Sequence, residues 1–126
     1  MTPGSATDRF GHHLGLRSHR PRADQPVVTL EVTDHHLNGA GIAHGGVLFS
    51  ALDQAIAIVA NDAQPGSVLS TGTIYCHRPA LAGDHLEIFV TAIKTGRRLS
   101  VYEGRVMCES RLIATMVGQT MAARSV

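Results

Sequence analysis

The chain has 126 residues, 44% of them hydrophobic and 17% charged, the size and composition of one packed domain. A formal net charge of +1, no Trp, two Tyr and three Phe argue against a nucleic-acid binder, which needs a basic surface or stacking platforms. No apolar run reaches the length of a membrane span, and Met1 to Phe10 lacks an apolar signal core, so a cytoplasmic protein without a membrane partner is expected.

In chain order, residues 1–9 read as a flexible N-terminus and residues 10–126 as a single domain. Phe10 to Leu16 forms a short helix with Asp8 as its N-cap. Arg17 to Arg22 is a first strand, followed by a turn at Ala23 to Pro26. Val27 to Thr33 alternates, with Val28, Leu30 and Val32 on one face, and reads as a half-buried strand. Asp34 to Ala43 is loop. Gly45 to Ala60 is the main helix, apolar almost all round and therefore buried. One stripe of it, Gly46, Ser50, Asp53, Gln54, Ala57 and Asn61, is small or polar. After the Pro65-Gly66 break come four strands: Val68–His77, Asp84–Lys94, Leu99–Met107 and Leu112–Met121. Their short connections predict an antiparallel meander. One buried helix against a strongly bent antiparallel sheet is an α+β architecture.

Cys76 and Cys108 form no C-x-x-C pair and read as two reduced core-strand thiols. The eight His include the adjacent pairs His12-His13 and His35-His36, whose members point in different directions. Neither H-x-x-x-H nor H-E-x-x-H occurs, so no metal site is expected.

The chemistry concentrates in residues 38–53, NGAGIAHGGVLFSALD. Gly45 and Gly46 open the helix, where backbone N–H groups lack partners and the helix dipole is positive. Glycine lets a substrate approach this backbone closely. Asp53 follows two turns later and can act as general base on water or as a nucleophile. His44 either locks the loop or contacts substrate. Asn38 shapes the loop through positive φ or a side-chain turn bond. Gly45 and Asp53 are eight residues apart, about 12 Å along a helix, too far to serve one carbonyl carbon. Either the helix starts later, or a symmetric dimer with antiparallel helices supplies the two groups from different chains.

The pattern N-G-x-G-x-x-H-G-G-x-x-F-x-x-x-D, with Asn61, R-P-A-x-x-G-D (Arg78 to Asp84) and G-R-R-x-x-x-Y-E (Gly96 to Glu103), resembles the hotdog-fold acyl-CoA thioesterases of the phenylacetic-acid-degradation type. The resemblance covers about residues 10 to 123. It implies a long central helix wrapped by a curved antiparallel sheet, and hydrolysis of an aryl- or medium-chain acyl-CoA without cofactor or metal. It also implies a homodimer with active sites at the interface, and a dimer of dimers beyond that. By position, Asp53 matches the catalytic carboxylate and Gly45 the N–H that polarises the thioester carbonyl, with His44 and Asn38 in support. Arg78, Arg97 and Arg98 fall at the turns where the family places CoA, and Arg suits its phosphates. The chain departs at Leu52-Asp53-Gln54-Ala55, where Gln54 replaces a hydroxyl. Thr71 to Tyr75 reads as dimer-edge strand. Two other functions compete: a hotdog enoyl-CoA hydratase, whose Asp-x-x-x-x-x-His spacing is missing, and a non-catalytic acyl-CoA-binding module, against which the intact Asp53 and His44-Gly45-Gly46 argue.

Overall fold

A computed structural model describes residues 8–123, so residues 1–7 of the expected flexible N-terminus lie outside the described residues. Helix α1 (Arg9–Leu14) is capped as the sequence indicates: the Asp8 carboxylate accepts the Gly11 N–H at 2.7 Å. Gly15, at φ 82, ends it. Strand β1 (Arg17–Ser18) pairs with β2 (Val28–Glu31) and is far shorter than the expected run to Arg22. Pro21 cannot donate to a ladder, and the chain already reverses by Asp24, at φ 61. Val28, Leu30 and Val32 are buried together, as their alternation predicts.

The expected loop contains one 3-10 turn, Asp34–His36, and leads into helix α2 (Gly45–Ala63), three residues longer than predicted. Asn61 prolongs it. Its Nδ2 donates to the Ala57 and Ser67 carbonyls, both at 2.8 Å, and its Oδ1 accepts the N–H groups of Gly66 and Ser67 at 2.8 and 3.0 Å. One side chain therefore closes the helix and fixes the reversal at Pro65-Gly66.

Strands β3 (Val68–Cys76), β4 (His85–Lys94), β5 (Leu99–Cys108) and β6 (Arg111–Met121) complete a six-stranded antiparallel sheet in the order β1-β2-β4-β5-β6-β3. Three of the four late strands, β4 to β6, do form a meander. β3 does not join it at β4, because β2 already occupies that edge; it pairs with β6 instead and becomes the far edge of the sheet. Cys76, on this edge, is exposed rather than core, whereas Cys108 is buried.

α2 touches every strand from β2 to β6. Those five strands span about 19 Å, roughly twice the width of a helix, so the sheet has to curl around it. The inner side of α2, including Ala51, Leu52, Ala55 and Ile56, is fully buried. Two glycines of the sheet let the helix sit close. A Cβ at Gly104 would stand 2.7 Å from Leu52 Cδ2, and one at Gly118 would stand 3.1 Å from Ile56 Cδ1. Among the described residues, α2 is the one helix long and apolar enough to cross a membrane, and its apolar side is packed on this sheet.

Candidate active site

The loop before α2 is anchored at both ends. His44 N–H donates to the His36 carbonyl at 2.8 Å, and Ala43 N–H donates to the Ala80 carbonyl at 2.8 Å. His36 is buried. Its Nδ1 accepts the Thr33 N–H at 2.9 Å, which leaves Nε2 to donate to the Leu14 carbonyl at 2.6 Å. This ring ties the end of α1 to the start of the loop, and T-x-x-H lacks the Glu or Gln that marks a capping box in sequence. Asn38 shapes the loop with its side chain rather than with positive φ: Oδ1 accepts the N–H groups of Ala40 at 2.9 Å and Ile42 at 3.3 Å.

His44 is the N-cap of α2, and its Nδ1 accepts the Gly46 N–H at 2.8 Å. Of the two glycines, Gly46 is thus engaged. Gly45 N–H has no acceptor among the described residues, and a Cβ at Gly45 would find no atom within 4 Å. The start of α2 presents one free donor to open space. The helix begins at Gly45 and not later, so Gly45 and Asp53 of one chain stand about 12 Å apart along its axis.

Asp53 is half-buried, on the stripe it shares with Ser50 and Ala57. Burial, first, and the Asp8 carboxylate, second, hold its pKa above the usual carboxylate value. Ser50 Oγ is turned back to the Gly46 carbonyl at 2.8 Å. Gln54 does not belong to the stripe. It is buried and faces α1 and β1, with Nε2 donating to Ser18 Oγ at 2.7 Å. A 100° step per residue puts neighbours Asp53 and Gln54 on different sides of the helix.

The three arginines separate. Arg97 and Arg98, in the β4–β5 turn, line a surface cleft of about 660 Å³ at the C-terminal end of α2, together with Gln64 and Pro65. Gln64 Nε2 donates to the Gly96 carbonyl, and Ala122 N–H to the Arg98 carbonyl at 2.7 Å, which fix its walls. Arg78 follows β3 at the opposite end of the sheet, two residues before the Ala80 that anchors the His44 loop. Among the described residues no group of three or more His, Cys, Asp or Glu could hold a metal.

Residues 40–115, from the loop into β6, match the model of the Thioesterase superfamily. The chain belongs to that superfamily. A putative esterase of Deinococcus radiodurans is 33% identical over 120 residues, covering 93% of this chain and 81% of that protein. The E. coli PaaI protein from the phenylacetic acid degradation operon superposes with a TM-score of 0.85 at 30% identity, over 95% of this chain and 88% of that one. The smu.793 protein of Streptococcus mutans, bound to acetyl CoA, superposes at 0.73 and 27% identity over 86% of each chain. The helix wrapped by an antiparallel sheet is the hotdog fold of these thioesterases.

Proposed function

We propose that this protein is an acyl-CoA thioesterase of the cytoplasm, cleaving an aryl- or medium-chain acyl-CoA to free acid and CoA at sites shared between two chains. The observation that carries this reading is the Gly45 N–H, without an acceptor among the described residues at the exposed start of α2, combined with a half-buried carboxylate, Asp53, two turns along the same helix.

Gly45 N–H donates to the thioester oxygen and strengthens its hold as that oxygen becomes an oxyanion. Asp53 takes a proton from water as the water oxygen bonds to the carbonyl carbon, or itself bonds to that carbon. Collapse of the tetrahedral intermediate breaks the C–S bond. On the water route the sulfur leaves as the thiol of CoA with the proton Asp53 had taken. On the nucleophilic route it leaves as a thiolate protonated by solvent, after which water cleaves the acyl–Asp53 anhydride to free acid and restores the carboxylate. His44 and Asn38 support the site from behind: one removes the competing Gly46 N–H, and the other holds the loop.

Two antiparallel copies of α2 bring Gly45 of one chain to Asp53 of the other at both ends of a two-fold interface. Strand β3 is the seam we assign to this pairing. It is a nine-residue edge, exposed along most of its length, with Val68 and Tyr75 more than half exposed. Pairing of two such dimers is the assembly the family resemblance adds. The cleft of Arg97 and Arg98 lies about 16 Å along the helix axis beyond Asp53, which suits the phosphates at the far end of an extended pantetheine arm. The acetyl-CoA-bound relative supports that class of ligand.

The deciding experiment is free-thiol release from a panel of aryl and alkyl acyl-CoAs. Asp53→Ala is expected to lose at least about a hundredfold in turnover. Equal release by wild type and variant, at the buffer rate, would overturn the reading.

A further inference from the structure

Gln54 is an unusual neighbour for a candidate base. Its amide is buried, its Nε2 is bonded to Ser18, and its Oε1 has no partner among the described residues. The surroundings explain what the amide touches. At Gly11 of α1, a Cβ would fall 1.8 Å from Oε1 and 2.7 Å from Cδ. A Cβ at Gly11 would displace that amide, so the glycine is what lets α1 seat on Gln54 with its Ser18 bond intact. One turn earlier on α1 stands Asp8, whose carboxylate holds the Gly11 N–H. One residue earlier on α2 stands Asp53. The Gly11–Gln54 contact seats the N-terminal end of α1, with Asp8, on the turn of α2 that carries Asp53.

We propose that α1 is part of the catalytic apparatus: locked on α2 by Gly11, Gln54 and Ser18, it holds Asp8 beside Asp53 as a positioning residue that keeps the base poised to take a proton. The proposal rests on Asp53 acting as reactive carboxylate, and extends it to a part of the chain outside the glycine-rich motif.

The environment of Asp53 supports it. Asp8 is the charged group that acts on the Asp53 carboxyl, adding to the effect of burial. Elsewhere the charges are turned away. The strand faces against α2 carry Tyr102 and Cys108 as their titratable groups, while Glu87, Glu103 and Arg105 alternate onto the other face, where Arg105 lies over Phe89. On the N-terminal elements, Arg9, His12, His13 and Arg17 are the remaining charged or titratable side chains. A like charge disfavours ionisation, and a stronger base at the reaction pH is the result.

The test uses the full chain with 13C-labelled aspartate, following the Asp53 side-chain carbon by NMR against pH, beside the pH–rate profile of thioester hydrolysis. Asp8→Asn keeps an oxygen to cap α1 and removes only the charge. The Asp53 midpoint is expected to move to lower pH, with the acid limb of kcat/KM moving with it. Gly11→Ala, whose methyl displaces the Gln54 amide from its seat on α1 without touching either carboxylate, is expected to move the midpoint the same way. Asp62→Asn, on the same helix but remote, is expected to leave it unchanged. An Asp53 midpoint identical in wild type and Asp8→Asn overturns the proposal, and an unmoved midpoint in Gly11→Ala overturns the role given to the helix contact. An Asp53 carbon that shifts while the rate profile does not would instead overturn the assignment of Asp53 as the base.

Discussion

His44 and Gly45 divide the donors at the start of α2 between structure and chemistry. His44 takes the Gly46 N–H, and on the proposed reading the Gly45 N–H is the one left to the substrate. This makes Gly45→Pro an informative change. Proline is favoured at the first position of a helix, and the preceding residue, His44, already has the extended conformation that proline requires (φ −62, ψ 137). The variant is expected to fold with unaltered thermal stability while kcat falls by about 10²–10³-fold, the worth of one oxyanion donor. Circular dichroism melts and the thiol-release assay separate the two effects. Asp53 makes the complementary case. Its folded-state pKa is raised, so the folded chain holds that proton more tightly than the unfolded chain does. The penalty is absent at pH values below the ordinary aspartate range and is fully present above the raised value. Asp53→Asn is therefore expected to melt higher than wild type at neutral pH, with the difference vanishing as pH falls through that window. A variant whose margin over wild type is no larger at pH 7 than at acid pH would contradict the raised pKa of the half-buried carboxylate.

At the scale of elements, α2 depends on its ends as much as on its apolar face. Asn61 makes four hydrogen bonds, three of them across the reversal into β3 and one of these to the N–H of Ser67, a buried residue. Asn61→Ala leaves that N–H without a partner and is expected to cost about 1–3 kcal/mol in chemical denaturation, with kcat per folded molecule retained. The sequence made α2 and its boundaries largely legible, since a long apolar run with a glycine start and a Pro-Gly stop admits few alternatives. The alternation of Val28, Leu30 and Val32 and the cap by Asp8 were equally plain, because both are local signals. The place of β3 was not. Strand order is decided by which edges other strands leave free, and no local pattern encodes that β2 takes the edge of β4. Gln54 was misplaced for a related reason: its polarity put it with the open stripe, whereas its partner Ser18 lies 36 residues away in sequence. The motif around His44 could be read, and the family resemblance singled out Gly45, but no local pattern showed that the His44 ring occupies the Gly46 N–H.

For the whole molecule, the separation of Gly45 from Asp53 on one helix has a direct test. Gly45→Pro and Asp53→Ala are each inactive as homodimers on this reading. Unfolded together in equal amounts and refolded, half of the pairs carry one intact site, so about a quarter of wild-type activity is expected to return if the sites are shared across a two-fold axis. No recovery in a mixture shown by mass to contain the mixed dimer would place both groups of a site in one chain and overturn the interface reading. The close seating of α2 on the sheet carries a last consequence. With Gly104 and Gly118 already within reach of Leu52 and Ile56, no space for an acyl group is left between helix and sheet at these two contacts. On the proposed reading the ligand lies along the opposite side of the helix, beside Ser50, Asp53 and Ala57. Durability and selectivity are thus written on two faces of one rod, so changes in acyl preference can accumulate on one without renegotiating the packing of the other.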